Sequence, residues 1–290
     1  MEVGLNLPVN PAATPAVLKE IAQRAEALGF AELYLGEHVV LFDQPADAYP
    51  SSDDGKAFFP ADTALPDPLV AHAFIAAATA RIRLATGVML LPQRNPVYTA
   101  KHVATLDWLS GGRFDLTIGL GWSREEFDAC GVPWAERGAR ADEYVEVMRR
   151  LWADPVSEFS GRFYSLPACR QYPKPVQTPY PPLWFGGWSD AALDRTARLG
   201  DGWYGFDLPP ETIDERVRRL REMLDARGRS AASVKIVCGG YSLLPGTLDE
   251  LAAYRDAGAA QYVVSLTVFD RSGMLGQLES YADRFIGKLA

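Results

Sequence analysis

Short apolar runs alternate with amphipathic helical stretches about eight times along the chain, and this alternation limits the fold more than any other feature. Val3–Leu7 reads as a strand. Thr14 follows as an N-cap with Pro15 at the first helical position, and Val17, Leu18, Ile21, Ala25 and Leu28 recur at helical spacing until Gly29 stops the helix. The same pattern predicts strands over Ala31–Leu35, Ile82–Leu91, Phe114–Ile118, Leu183–Phe185, Gly202–Phe206, Val234–Cys238 and Gln261–Leu266. It predicts helices over Pro68–Ala80, Pro96–Leu109, Glu136–Trp152, Ala191–Leu199, Glu211–Arg227, Leu248–Ala257 and Leu275–Leu289. Repeated strand–helix units imply parallel strands buried on both faces, and IRLATGVMLL and FDLTIGL are near-continuously apolar, as such strands must be. The length of 290 residues fits one α/β domain over 1–290, a (β/α)8 TIM barrel, better than two domains; a doubly wound open sheet is the alternative.

Three connections exceed plain turns: Val39–Leu65, Trp122–Ala135 and Asp154–Pro182. They are expected as insertions at the C-terminal rim. The aromatic content of the second and third argues for lids, whereas the acidic first also reads as a solvated insertion.

The net charge of −8 offers no positive field for nucleic acid, and no Lys/Arg run supplies a local exception. Cys130, Cys169 and Cys238 are far apart and odd in number, so neither a disulfide framework nor a zinc site is indicated. His38, His72 and His102 lack metal-ligand spacing, and no metal is expected. The N-terminus lacks the features of a secretory signal, and no apolar stretch has the length of a bilayer span. The expectation is a soluble cytoplasmic protein without membrane or nucleic-acid partners.

In a barrel of this kind the chemistry sits at the C-terminal ends of the strands. That rule selects Glu37 and His38 after the second strand, Thr86, Gly87 and Val88 in the third, and Gln93, Arg94 and Asn95 beyond it. It also selects Gly119, Gly121 and Trp122 after the fourth, and Gly186, Gly187, Trp188 and Ser189 after the fifth. The Gly186–Ser189 turn precedes a helix, so its backbone admits a phosphate; a tight turn with Ser189 as a plain N-cap explains it equally well. Gly119-Leu120-Gly121 lacks the third glycine and downstream acid of a dinucleotide fingerprint. His38 alone among the histidines falls at a strand end. Its imidazole suits proton transfer or a hydrogen bond to an anionic ring, with a buried histidine satisfied by a neighbour as the bland reading. His72 and His102 fall within helices and read as structural or surface residues. Most Asp and Glu residues read as solvated helix faces.

At these residues the chain resembles the bacterial luciferase-like monooxygenase superfamily, and within it the actinobacterial branch that uses coenzyme F420, an 8-hydroxy-5-deazaflavin. The likeness is carried by AEALGFAELYLGEHV, by the segment from ARIRLATGVMLLPQRNP through LSGGRFDLTIGLGWSREEFDACG to VEVMRRLW, and by PVQTPYPPLWFGGWSDAALDRTARLGDGWY. It weakens past Phe206, where Leu244–Glu250 departs from the family pattern. The resemblance implies a barrel with a cofactor ring at its mouth and a non-prolyl cis peptide at Gly87-Val88, or one bond earlier. It implies phosphate contacts from Gly121, Trp122, Ser123, Gly186, Gly187 and Ser189. His38 would face the ring and act as the catalytic residue. Thr86, Gly87 and Val88 would lie behind the ring, with Gln93, Arg94 and Asn95 beside it, and Trp122 and Trp188 would line the substrate side or the phosphate rim. The acidic tail of F420 favours a basic rim, for which Arg94, Arg124, Arg170 and Lys174 are available.

The expected function is an F420-dependent oxidoreductase that transfers a hydride between the deazaflavin and a small organic substrate. The rivals are an FMN-dependent two-component monooxygenase served by a separate reductase, a non-catalytic flavin- or deazaflavin-binding protein, and a sugar-phosphate barrel. A homodimer is a further expectation.

Overall fold

The computed structural model describes residues 1–49, 55–56 and 59–289. Residues 50–54 and 57–58 of the long Val39–Leu65 connection lie outside the described residues. Eight parallel strands follow in chain order: β1 Glu2–Asn6, β2 Glu32–Leu35, β3 Arg83–Thr86, β4 Phe114–Gly119, β5 Leu183–Gly186, β6 Gly202–Phe206, β7 Lys235–Gly239 and β8 Gln261–Ser265. Each pairs with its neighbours, β1 pairs with β8, and β3 pairs with β4, so the sheet closes. The (β/α)8 barrel replaces the open-sheet alternative.

Side chains alternate between two cores, as the two-residue period of a strand requires. Leu33, Leu84, Leu116, Phe185 and Val264 face the surrounding helices. Tyr34, Ala85, Trp184, Tyr204, Val237 and Val263 fill the barrel interior. One step further toward the C-terminal ends, four of the inward positions are glycine: Gly36, Gly87, Gly119 and Gly186. On that side of the barrel the layer carries no side chains, and the barrel opens into a cavity there.

Nine helices surround the strands among the described residues: α1 Pro15–Leu28, α2 Pro68–Ala76, α3 Pro96–Ser110, α4 Arg124–Ala129, α5 Arg137–Ala153, α6 Asp190–Leu199, α7 Pro210–Asp225, α8 Leu248–Asp256 and α9 Arg271–Phe285. Most begin at a side-chain cap. Thr14, Asp67, Asn95, Ser123, Ser189 and Thr247 each accept a first-turn amide, and Gly29 and Gly111 close α1 and α3 in the left-handed region.

Three local expectations change. The predicted strand Ile82–Leu91 is interrupted after Thr86 by a cis Gly87-Val88 peptide, resumes at Met89–Leu90, and ends in a 3-10 turn over Leu91–Gln93. The connection Trp122–Ala135 contains α4, because Ser123 caps a turn that buries Phe127. Asp154–Pro182 is not a C-terminal rim insertion. It joins α5 to β5, and so returns to the N-terminal end of the barrel. It forms an antiparallel ribbon, Ser157–Ser160 with Ser165–Cys169, and then runs along α3, where Gln177 donates to Asp107 and to the Phe114 carbonyl.

Candidate active site

A cavity of about 660 Å³ occupies the C-terminal mouth of the barrel. Its floor is the middle interior layer, represented by Tyr204, and its back is Val88. The cis bond turns Val88 across the mouth, into space that only glycines leave free. A Cβ on Gly119 would stand 2.4 Å from the Val88 side chain, and one on Gly186 would stand 2.9 Å from it. The turn after β5 is pinned from outside the barrel, where Trp203 Nε1 donates to the Gly187 carbonyl at 2.7 Å.

His38 extends from the end of β2 into this cavity. Its Nδ1 lies 3.0 Å from Glu126 Oε2, and its ring meets Trp122 edge-on at 5.7 Å and Phe59 at 5.6 Å. Glu126 is fully buried, and its Oε1 accepts the Val39 amide at 2.6 Å. Glu126 is an exception to the solvated helix faces expected of most acidic residues, because α4 lies against the mouth. Glu37 lines the same cavity. Oε2 of Glu37 accepts the Leu90 amide at 2.6 Å, and Oε1 accepts Arg94 Nε at 2.8 Å. These bonds fix the strand just past Val88. Arg94 also pairs with Asp67. Burial pushes the Asp67 carboxyl up, yet the Val70 amide and the Arg94 guanidinium outweigh it and hold the group below the usual carboxylate range.

The rim beside β4 is basic. The Arg137 guanidinium lies 3.6 Å over the Trp134 ring, and Arg124 approaches the same ring at 5.6 Å. Neither has an ion-pair partner among the described residues, although most other arginines of this acidic chain do. The sequence offered Arg94, Arg124, Arg170 and Lys174 for this role. Arg94 is committed to Glu37 and Asp67, while Arg170 and Lys174 donate to carbonyls of the Asp154–Pro182 segment and its neighbours. Of the four, only Arg124 comes near the mouth, beside the Trp134 ring, and Arg137 lines the cavity itself.

Of the residues selected from the sequence, Glu37, His38, Gly87, Val88, Gly119, Gly121, Trp122, Gly186, Gly187, Trp188 and Ser189 line the cavity. Thr86, Gln93, Arg94, Asn95 and Ser123 do not. The Thr86 hydroxyl bridges to the Thr117 backbone, Asn95 caps α3, and Ser123 caps α4 by accepting the Glu126 amide. Ser189 caps α6 and lines the cavity as well. Tyr49, Phe59 and Leu65 line it from the first long connection, which the sequence left open as a solvated insertion. Sequence reasoning missed Glu126, Trp134, Arg137 and Tyr204. Tyr204 was legible from strand alternation with Phe206, and Ser123-x-x-Glu126 is a helix-start signal, but neither spacing announces a cavity. Trp122 Nε1 is buried without a hydrogen-bond partner among the described residues.

His72 behaves as expected of a structural residue. It is buried in α2 beside the Ala85 carbonyl, 2.9 Å from Nε2, and burial lowers its pKa to about 4. All three cysteines are free thiols. No group of metal-binding side chains occurs among the described residues, and no helix there is long and apolar enough to cross a membrane.

Comparison with known proteins agrees with this architecture. An uncharacterized protein of Mycobacterium tuberculosis is 34% identical over 280 residues, covering 96% of this chain and 94% of that one. An FMNH2-dependent dimethylsulfone monooxygenase of Pseudomonas putida is 31% identical over 187 residues, 63% of this chain and 50% of that protein. Among solved structures, the monooxygenase RslO1 of Streptomyces bottropensis superposes with a TM-score of 0.82 at 23% identity. The coenzyme F420-dependent tetrahydromethanopterin reductase of Methanopyrus kandleri superposes with a TM-score of 0.78 at 16% identity. Both pairs of chains are covered completely, and at such identities the likeness is one of fold. The luciferase-like monooxygenase family model matches residues 1–284, and the chain belongs to that family, whose members are oxidoreductases.

Proposed function

We propose that the protein is an oxidoreductase that holds coenzyme F420 in the mouth cavity and transfers a hydride between it and a small organic substrate. The observation that carries this reading is the cavity itself: an aromatic-walled space kept open by the glycines of the strand ends, with an imidazole on one side and Arg137 stacked on Trp134 at its rim. The cavity volume suits a flat tricyclic ring, and the glycine layer lets such a ring approach the backbone. When bound, the deazaflavin supplies the hydride chemistry.

The chain's own residues do the rest. Gly119 and Gly186 keep the mouth open, and Val88 backs the ring. Arg124, Arg137 and the turns at Gly121 and Gly187 hold the anionic end of the cofactor. Trp122, Phe59 and Tyr49 exclude water. His38 holds or moves a proton at Nε2, the nitrogen not occupied by Glu126.

A second reading, a monooxygenase using FMN reduced by a separate reductase, is favoured by the likeness to the dimethylsulfone enzyme over 187 residues. Parallel titrations of the purified protein with F420 and with FMN separate the two. Tight binding of F420 alone supports the hydride-transfer reading. Preference for FMN, with oxygen consumed in step with product, replaces it by the second. Binding of neither overturns both.

A further inference from the structure

We propose that Glu126 is a positioning residue for His38, fixing its imidazole in the Nδ1–H tautomer so that a bare Nε2 faces the cavity as a proton acceptor. An ionised carboxylate only accepts hydrogen bonds, so the hydrogen between Glu126 Oε2 and His38 Nδ1, 3.0 Å apart, resides on nitrogen. The carboxylate has no freedom to turn away. Its other oxygen is held by the Val39 amide at 2.6 Å, its side chain is fully buried, and its own amide is fixed by the Ser123 hydroxyl at the start of α4.

No other hydrogen bond reaches the imidazole among the described residues. Trp122 and Phe59 meet it with aromatic surface. Glu37, next to it in sequence, has its oxygens engaged by the Leu90 amide and Arg94. The tautomer of His38 is therefore set by one partner. In this state the neutral residue takes a proton from a substrate O–H or N–H rather than giving one. The same carboxylate ties down the root of the long connection that lines the cavity, so base and wall share an anchor.

The Val39 amide makes the proposal testable with an isosteric change. In Glu126→Gln the side-chain oxygen is claimed by the Val39 N–H, which leaves the amide NH2 facing Nδ1. That group donates, so Nδ1 must accept and the proton moves to Nε2. The experiment is long-range 1H–15N correlation spectroscopy of protein carrying 15N-histidine, without cofactor, at a pH where the imidazole is neutral. The chain has only three histidines, and the His38 signals are those lost in His38→Asn.

The wild type is expected as the Nδ1–H form. Glu126→Gln is expected as the Nε2–H form, a reversal of about 10-fold or more in population, with an unchanged far-ultraviolet circular dichroism spectrum. A wild type in the Nε2–H form overturns the proposal. So does a folded Glu126→Gln protein that keeps Nδ1–H. Although the role rests on His38 facing the reactive space, the tube contains neither F420 nor FMN, so failure of the cofactor reading and failure of this proposal are read separately.

Discussion

At the N-terminal end of the barrel the inward positions of β2, β3, β4 and β8 carry Glu32, Arg83, Asp115 and Gln261; at the C-terminal end the inward positions of β2, β3, β4 and β5 carry Gly36, Gly87, Gly119 and Gly186. The first set closes the barrel with long, mutually bonded side chains. Arg83 forks onto Asp115 and reaches Gln177, while Tyr34 and Gln261 donate to Glu32. Burial first, and then the charge of Asp115, raise the Glu32 carboxyl well above the usual range. The second set leaves space, and the acids around it have both oxygens engaged by donors from other segments: Glu37 by Leu90 and Arg94, Glu126 by His38 and Val39. Charge at the closed end joins strands into a barrel. Charge at the open end aims groups at a cavity.

The comparison predicts that substitutions at the two ends separate stability from binding. Asp115→Ala, at the closed end, leaves the half-buried Arg83 without its carboxylate and should cost about 1–3 kcal/mol of folding stability. Affinity for whichever cofactor binds should stay unchanged in the folded fraction. Denaturant unfolding and a cofactor titration on one preparation measure both. A loss of affinity without a loss of stability would erase the distinction between the ends. His72 tests the wall between them. Its pKa of about 4 in the folded state lies below the ordinary 6.5, so unfolding takes up a proton at intermediate pH. Its contribution is whole above pH 6.5, declines as the pH falls, and is gone near pH 4, a change of about 3 kcal/mol at most. His72→Gln should flatten the stability–pH curve in that window while changing little at pH 8.

At the open end the expected order reverses. Gly119→Ala places a methyl group against Val88. It should lower cofactor affinity at least tenfold and cost about 1–3 kcal/mol in stability through overpacking. If the variant binds as the wild type does, the glycine layer is not the seat of the ring. Arg137→Ala should weaken binding about tenfold, since it removes a charged hydrogen-bonding partner of an anion. Its effect on the thermal midpoint should be small, because Arg137 has no carboxylate to leave unpaired. The loss of affinity should shrink as salt is raised.

How much of this was legible in the sequence follows the same division. The strands and the first cap were visible because each rests on local chemistry, such as Thr14 with Pro15. The glycines of the mouth were visible because a strand end carrying Gly186-Gly187 is unusual in itself. What depends on distant segments meeting was not. Glu126 is 88 positions from His38, Arg137 stands on a helix that gave no rim signal, and the direction of Asp154–Pro182 became apparent only once α5 and β5 were placed. Many of the positions named by the resemblance line the cavity. It also swept in neighbours such as Thr86 and Asn95, whose side chains serve the scaffold.

Asn95 gives the smallest effect and the finest distinction. The resemblance sets it beside the cofactor, yet its Oδ1 accepts the amides of Val97 and Tyr98 at 3.0 and 3.2 Å. That is the geometry of an N-cap, in a helix whose next residue is proline. Asn95→Ala removes the cap and should cost about 1 kcal/mol, seen as a lower thermal midpoint. Asn95→Asp keeps the acceptor and adds a negative charge at a helix N-terminus, so it should restore or exceed the wild-type midpoint. Neither change should move the cofactor titration, since no atom of Asn95 lines the cavity. A residue that touched the cofactor would behave the other way, with affinity falling in both variants whatever the midpoint did. The pair of substitutions thus decides whether the boundary between scaffold and site runs between Asn95 and Val88, where the structure draws it.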